Sequence, residues 1–153
     1  MTHEEATALS TKVFTLVRAC PSGRVTTYSW LAKAIGYPRG ARMVGWIMNE
    51  TPEGVPAHRV INSKGELSGS WAFGRPGVMR QLLEQEDIVF SADGKVDLKR
   101  YGWDPTRDLS PEELQALLAP VSAAPGKVSE GLLYHLNNDP ASPFRSSPSA
   151  ETT

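Results

Sequence analysis

The sequence has little cysteine and no long apolar run, and these absences exclude several classes of protein. Cys20 is the only cysteine among the 153 residues, which excludes an intramolecular disulfide and a zinc site built from several cysteines. No apolar run approaches the roughly 18 residues that span a bilayer. The start, Met1–Glu5, lacks the basic and then apolar layout of a signal peptide. We therefore expect a cytoplasmic protein with no membrane partner, no bound metal and no other cofactor.

Net charge is also small, at −1, but it is distributed unevenly along the chain. Residues 18–80 hold nine Lys and Arg against three acidic residues, whereas residues 81–153 hold six basic and twelve acidic residues. Such asymmetry between the halves of a chain is a hint of a face that binds a polyanion. An ordinary fluctuation of charge along the chain is the alternative.

The N-terminal part predicts an amphipathic helix followed by a shorter helix. Thr2 and Glu5 have the spacing of a capping box, and apolar residues then recur every three or four positions until about Cys20. Thr27 can cap the second helix, and Gly36 can close it in the left-handed conformation that glycine adopts at little cost.

A third helix is predicted from Gly40 to about Met48, after the turn Tyr37-Pro38-Arg39. Two short helices on either side of a tight turn with Gly and Pro are typical of a helix-turn-helix. Two packed helices with no role in DNA binding are the alternative.

Residues 49–106 predict loops with a few short elements. We expect extended pieces at His58–Ile61 and Glu66–Ser68, a helix that starts at Pro76, and a β-hairpin made of Ile88–Phe90 and Lys95–Leu98. A helix-turn-helix with a small hairpin indicates a mostly α winged-helix fold. Trp103 is expected to close its core.

Composition divides the chain into three parts. Residues 1–106 have the size of one domain, and residues 107–119 add a short helix that starts at Ser110. Half of the 34 residues from 120 to 153 are Pro, Ser, Ala or Gly, which predicts a largely disordered tail. Its apolar segment, Leu132–Leu136, is expected to dock on the domain, to bind a partner, or to do neither.

The most informative segment is Val55–Asn62, which reads Val-Pro-Ala-His-Arg-Val-Ile-Asn. It resembles the Pro-Cys-His-Arg-Val active-site motif of the O⁶-alkylguanine-DNA alkyltransferases, with Ala57 at the position of the cysteine. Gly23–Ala32 is similar to the Gly-x-Val-x-Ser/Thr-Tyr-x-x-Leu/Ile-Ala motif of that family. Ala41–Gly45 is similar to its Ala-Arg-x-Val-Gly recognition helix.

Further positions fit the same family and point to one branch of it. Asn49 lies eight residues before Ala57, at the family's asparagine spacing, and Glu86 lies at the position of its glutamate. The resemblance runs from about Ala8 to Trp103. The replacement of the cysteine by alanine resembles the alkyltransferase-like proteins, most of which carry tryptophan at this position. Several of these have an arginine over the pocket where this chain has Ser70-Trp71.

The resemblance implies a function as well as a fold like the C-terminal domain of the alkyltransferases, over residues 1–106. It implies a monomer, associated with the nucleoid, that binds O⁶-alkylguanine in duplex DNA through the minor groove. The lesion nucleotide would be flipped into a pocket and flagged for nucleotide excision repair proteins. No transfer is expected, because the methyl group of Ala57 cannot accept an alkyl group. His58 and Glu86 are then a relay with nothing to activate.

The resemblance also assigns roles to individual residues. Arg42 would fill the space that the flipped base leaves, and Tyr28 would assist its rotation. The residues assigned to DNA binding are Tyr28, Arg39, Gly40, Ala41, Arg42 and Gly45. Those assigned to the lesion pocket are Tyr28, Asn49, Pro56, Ala57, Arg59, Ser70 and Trp71. The alternatives are a solvated surface arginine for Arg42, a core-edge tyrosine for Tyr28 and an internal brace for Arg59.

Two other functions stay open from the sequence. One is a winged-helix regulator whose pocket has decayed, and the other is an alkyltransferase with an unrecognised nucleophile. Cys20 is rejected as that nucleophile, because the negative end of a helix dipole raises the pKa of a thiol. Five basic residues are expected either to contact phosphates or to form internal pairs: Arg24, Lys33, Arg39, Arg59 and Lys64.

Overall fold

The computed structural model describes residues 2–67, 77–119 and 128–139. In these ranges the chain forms α-helices α1 (His3–Ala19), α2 (Tyr28–Ala34), α3 (Ala41–Met48), α4 (Val78–Glu84), α5 (Leu98–Tyr101), α6 (Pro105–Asp108), α7 (Pro111–Leu117) and α8 (Glu130–Asn138). Ala57–Arg59 form a 3₁₀ turn, and the two strands are β1 (Thr26–Thr27) and β2 (Val60–Ile61). None of the helices described is long and apolar enough to cross a lipid bilayer.

Helix α1 starts and ends where its sequence predicts. The Thr2 hydroxyl accepts a hydrogen bond from the Glu5 backbone N–H, and the Glu5 carboxylate accepts one from the Thr2 N–H, each at 3.2 Å. These two bonds complete the capping box and satisfy backbone donors that the first turn leaves free. Cys20 follows as the C-terminal cap in an extended conformation.

The predicted helix-turn-helix is confirmed in α2 and α3. The Thr27 hydroxyl accepts a hydrogen bond from the Trp30 N–H at 3.0 Å and caps α2. Gly36 follows α2 with φ at +94°, a conformation that favours glycine. Gly40 begins α3, and a Cβ there would lie 3.0 Å from the Tyr37 carbonyl oxygen. The close approach of the turn to α3 leaves little room for a side chain at this position, which favours glycine.

The sheet is a parallel pair, in which Thr26 lies opposite Val60 and Thr27 opposite Ile61. The extended piece expected at His58–Ile61 is therefore wrong in its first half. Residues 57–59 form the 3₁₀ turn instead, after Pro56, with the Arg59 N–H bonded to the Pro56 carbonyl at 3.0 Å. The Ala57–Arg59 part of the pocket motif therefore lies on this turn, directly before the strand.

The expected hairpin is reduced to one antiparallel bridge, between Phe90 and Val96. Leu98, expected in its second strand, instead begins α5, because the Asp97 carboxylate caps that helix through the Lys99 N–H at 3.0 Å. The segment from Phe90 to Val96 therefore forms a turn closed by one bridge and not a two-stranded hairpin.

Two further boundaries differ from the prediction. Helix α4 begins at Val78 with Gly77 as its cap, so Pro76, which lies outside the described residues, is not its first residue. Glu66 and Leu67 form no strand, and Ser68 lies outside the described residues. The Asn62 side chain instead accepts hydrogen bonds from the Lys64 and Glu66 N–H groups at 3.0 and 2.9 Å, which hold a turn.

Two clusters of buried side chains hold the molecule together. The first joins α1, α2, α3 and α8 and includes Leu16, Leu31 and Ile47. The second lies between the sheet and α4 and includes Ile61 and Leu83. Trp103 is buried, as expected, and its N–H donates to the Val25 carbonyl at 2.6 Å.

Residues 128–139 are ordered, although their composition predicted disorder. Ser129 caps α8, and Leu132 and Leu136, four residues apart, are buried in the first cluster. Of the three expectations for the apolar segment, docking on the domain is the one observed. The remaining residues from 120 to 153 lie outside the described ranges, and the expected disorder there stays a prediction.

Candidate functional site

The pocket motif lies on the 3₁₀ turn between the two buried clusters. Ala57 is half-buried against the first cluster, and its N–H donates to the Val55 carbonyl at 2.8 Å. Pro56, just before it, is also half-buried, whereas Asn49, which ends α3, is exposed. Ser70 and Trp71, expected on the opposite wall, lie outside the described residues.

Glu86 is the centre of a hydrogen-bond cluster under this turn. Its two carboxylate oxygens accept from Arg59 Nε at 3.0 and 3.1 Å and from Arg59 Nη2 at 3.0 Å. Glu86 Oε2 lies 2.5 Å from His58 Nε2, and Oε1 accepts from the Gly23 N–H at 2.9 Å. Because the bonds come from two separate loops, one carboxylate ties the turn Pro21–Arg24 to the pocket motif.

The ionisation of Glu86 follows from these contacts. Partial burial raises the pKa of the carboxyl, but hydrogen bonds from Arg59, His58 and Gly23 outweigh it and lower the pKa to about 2. Glu86 is therefore charged at neutral pH and neutralises the guanidinium of Arg59, whose side chain is 16% exposed. With Arg59 also donating to the Cys20 carbonyl at 2.9 Å, the contacts match an internal brace.

The Cys20 thiol cannot act as a nucleophile in this environment. It is buried, with its sulfur 3.7 Å from the Arg24 carbonyl oxygen. Burial raises the pKa of the thiol to about 12, so the thiolate that attacks alkyl carbons is absent near neutral pH.

Helix α3 presents an exposed side that we define as its outer face: Arg42, Gly45, Trp46 and Asn49. Their spacing of three and four places these residues along one side of the helix, while Met43, Val44 and Ile47 are buried behind them. A Cβ on Gly45 would meet no atom within 4 Å, so the middle of this face is open. The Arg42 side chain is 63% exposed.

The outer face also has a contact that the sequence did not predict. Arg42 Nε donates to Asp139 Oδ2 at 2.8 Å, and the indole N–H of Trp46 donates to the same oxygen. The rings of Trp46 and His135 are stacked, with centroids 3.8 Å apart and 4° between their planes. Nothing in the local pattern pairs residues 97 positions apart, and the Leu132–Leu136 spacing was the one available signal that α8 docks.

The five basic candidates divide into paired and unpaired residues. Arg24 donates to the carbonyls of Tyr101 and Gly102, and Lys33 Nζ lies 3.1 Å from Asp104. Arg59 pairs with Glu86, as above. Within the described ranges, Arg39 and Lys64 have exposed side chains and enter no ion pair, which leaves them available to a phosphate.

Tyr28 lies at the start of α2, directly after β1, and is half-buried against the first cluster. It thus sits at the edge of the core, and its role at a lesion stays a prediction. In the described part of the chain, no group of His, Cys, Asp and Glu is arranged to hold a metal ion.

Comparison with known families adds to this geometry. The model of the 6-O-methylguanine DNA methyltransferase, DNA binding domain, matches residues 8–88, which is more than half of the chain. The chain belongs to this family. The match spans α1 to the end of α4 and includes both the outer face of α3 and the Glu86 cluster.

Individual relatives of the chain are alkyltransferase-like. The DNA base-flipping protein of Escherichia coli K12 is 39% identical over 105 residues, covering 66% of this chain and 78% of the relative. Alkyltransferase-like protein 1 of Schizosaccharomyces pombe is 37% identical over 101 residues, covering 62% of this chain and 94% of the relative. The chain is therefore similar to alkyltransferase-like members of the family.

A solved structure shares the fold. It is that of S. pombe Atl1 in complex with damaged DNA containing O⁶-carboxymethylguanine, with a TM-score of 0.54 and 32% identity. The match covers 69% of this chain and all of that one. It confirms the mostly helical fold expected from the sequence.

Proposed function

We propose that this protein is a non-enzymatic sensor that binds O⁶-alkylguanine in duplex DNA and flips the lesion nucleotide into a pocket. The observation that carries the proposal is the retained outer face of α3, with Arg42 exposed, in a family member that has Ala57 in its pocket motif. The relatives support it, since they include a DNA base-flipping protein and a protein bound to damaged DNA.

In this proposal α3 enters the minor groove. That groove offers a degenerate pattern of base edges, which suits a protein that must find damage in any sequence. Ala41 and Gly45 keep the helix thin enough for close approach, and Arg39 contacts a phosphate beside it. Gly40, which the resemblance also assigned to DNA binding, is instead buried, and a Cβ there would meet Tyr37 and Met43. Arg42 fills the gap in the base stack, because its planar guanidinium can stack on a base.

The flipped base is held at the 3₁₀ turn. Flipping costs a few kcal/mol of unstacking, which contacts with the residues assigned to the pocket would offset: Tyr28, Asn49, Pro56, Ala57, Ser70 and Trp71. Arg59 supports the floor through Glu86. Because Ala57 has no nucleophilic atom and the Cys20 thiol is buried with a pKa of about 12, the alkyl group stays on guanine.

A protein that recognises a lesion but leaves it in place needs a further step. We propose that it acts as a monomer and hands the flipped nucleotide to nucleotide excision repair proteins. This step rests on the resemblance to alkyltransferase-like proteins.

The test uses one duplex with O⁶-methylguanine and a fluorescent base analogue beside it. Binding should brighten the analogue as its neighbour leaves the stack, and an intact mass spectrum of the protein afterwards should be unchanged. A stable gain of one methyl group would show an alkyltransferase. Binding without brightening would show a DNA-binding protein that does not flip the lesion.

A further inference from the structure

We propose that α8 is an intramolecular competitor of DNA, which covers the Arg42 and Trp46 part of the outer face of α3 and must leave it when the duplex binds. This inference rests on the proposed function, because it concerns the same face. Its central contact is the pair of Arg42 and Asp139, whose carboxylate oxygen lies 2.8 Å from the guanidinium Nε. The side chain proposed to enter the base stack is therefore already held by an acid of the same chain.

Burial makes this contact specific. The Asp139 side chain is only 3% exposed, and its Oδ2 accepts from both Arg42 and the indole of Trp46. A buried carboxylate is tolerated when such donors surround it. If Arg42 rotates into DNA, Asp139 loses its ionic partner on the outer face while phosphates approach it, so both effects drive α8 away from α3.

Sterics lead to the same conclusion. Stacking of His135 on Trp46 places α8 directly on two of the four residues of the outer face. A helix with its side chains is about 10–12 Å across, whereas the minor groove of B-DNA is about 6 Å wide. A groove that must widen to admit α3 cannot admit α3 with α8 still beside it.

The remaining contacts of α8 allow it to stay docked in the free protein. Leu132 and Leu136 are buried in the first cluster, and the Ser129 N–H donates to Glu50 at 3.2 Å. Val128 and Leu133 pack against the same cluster, and none of these contacts is covalent. Helix α8 therefore acts as a displaceable cover that lowers the affinity for DNA.

The test compares two variants that remove the same charge from the segment 128–139. Asp139→Asn keeps the shape of the side chain but weakens its hold on Arg42. Glu130→Gln is the matched control, because Glu130 is 86% exposed and contacts His3 instead. Affinity for plain and O⁶-methylguanine duplexes is measured for each variant, with thermal unfolding as the check of folding.

Asp139→Asn should bind both duplexes about five-fold more tightly than wild type, the effect of releasing one partly exposed ion pair. Glu130→Gln should stay within about two-fold of wild type. Asp139→Asn binding no tighter than Glu130→Gln, or more weakly than wild type, would overturn the inference. The second of these results would mean that Asp139 orients Arg42 for DNA.

Hydrogen exchange of the wild-type protein gives an independent measurement that needs no variant. Amides of residues 130–138 should exchange slowly in the free protein and faster when the duplex is saturating. Unchanged or increased protection in the complex would overturn the inference. Equal affinity of the wild-type protein for alkylated and plain DNA would instead refute the proposed function. The affinities of the Asp139→Asn and Glu130→Gln variants for the plain duplex would still test the role of α8.

Discussion

Arg42 has two partners available to it: Asp139 in the free protein and the base stack in the proposed complex with DNA. In the free protein its guanidinium pairs with Asp139, and 63% of its side chain remains exposed. Arg39, three residues earlier, is exposed and enters no ion pair with the described residues. The two arginines therefore make a matched pair for separating insertion into the base stack from ordinary phosphate contact.

Arg42→Ala should reduce the preference for alkylated over plain duplex, because the gap in the stack is no longer filled when the base is flipped. Arg39→Ala should weaken both duplexes by a similar factor and flatten the salt dependence by about one unit, as for one phosphate contact. Titrations of both duplexes with each variant check this, and an Arg42→Ala, Asp139→Asn double variant controls for the removal of Arg42 from Asp139, which also accepts from the Trp46 indole.

Equal weakening of the plain and alkylated duplexes by Arg42→Ala, in both backgrounds, would contradict the insertion role. Arg42 would then be a phosphate contact like Arg39.

Among the secondary-structure elements, the sequence predicted the capped helices accurately and the strands less accurately. Thr2, Thr27 and Ser110 are local signals, since each cap is made by bonds within a few residues. The pairing of β1 with β2 joins segments more than 30 residues apart, so the local pattern could not show that it is parallel. The expected hairpin failed because Asp97 caps a helix where a strand was expected.

Helix α8 shows why composition alone could not predict a helix within residues 128–139. The high content of Pro, Ser, Ala and Gly over all 34 residues predicted disorder. It took no account of one short segment in which two leucines lie on the same side of a helix. In the site, the motif predicted that His58 and Glu86 lie together. It could not predict Asp139, since that contact depends on where α8 docks on α3.

Leu136→Ala should undock α8 without unfolding the rest of the molecule. A buried leucine truncated to alanine costs about 2–5 kcal/mol, and Leu132 is then the one leucine of α8 that remains buried in the cluster. Leu16→Ala in α1 is the matched control, because both leucines are fully buried in the same cluster. Hydrogen exchange should show lost protection confined to residues 130–138 for Leu136→Ala and spread through α1 to α3 for Leu16→Ala.

Protection lost equally across α1, α3 and α8 in the Leu136→Ala variant would mean that α8 is an integral part of the core. The idea of a separately displaceable helix would then be wrong.

At the scale of the whole molecule, Glu86 couples stability to pH. Its pKa is about 2 in the folded protein and about 4.3 in an unfolded chain, so its charged form stabilises the fold above pH ~4.3. That contribution, roughly 2–3 kcal/mol, is lost as the pH falls from there towards 2. Urea unfolding should therefore show an unfolding free energy that is nearly constant from pH 6 to about 5 and then decreases as the pH is lowered to 3.

Glu86→Gln should flatten this pH dependence and lower stability at neutral pH by about 3–5 kcal/mol, because Arg59 is left buried without its partner. Glu53→Gln is the control, since Glu53 is exposed. An acid profile of Glu86→Gln as steep as that of wild type would show that other carboxylates cause the loss.

The other proposed properties of this protein depend on one: it distinguishes an alkylated guanine from a normal one without repairing it. The direct measurement is the affinity of the wild-type protein for one duplex with a single O⁶-methylguanine and for the same duplex with guanine, in the same salt. We predict at least about ten-fold tighter binding to the alkylated duplex, a difference of ~1.4 kcal/mol, with the lesion recovered chemically intact. Equal affinity for the two duplexes would contradict recognition of the lesion. Recovery of guanine in place of O⁶-methylguanine would contradict recognition without repair.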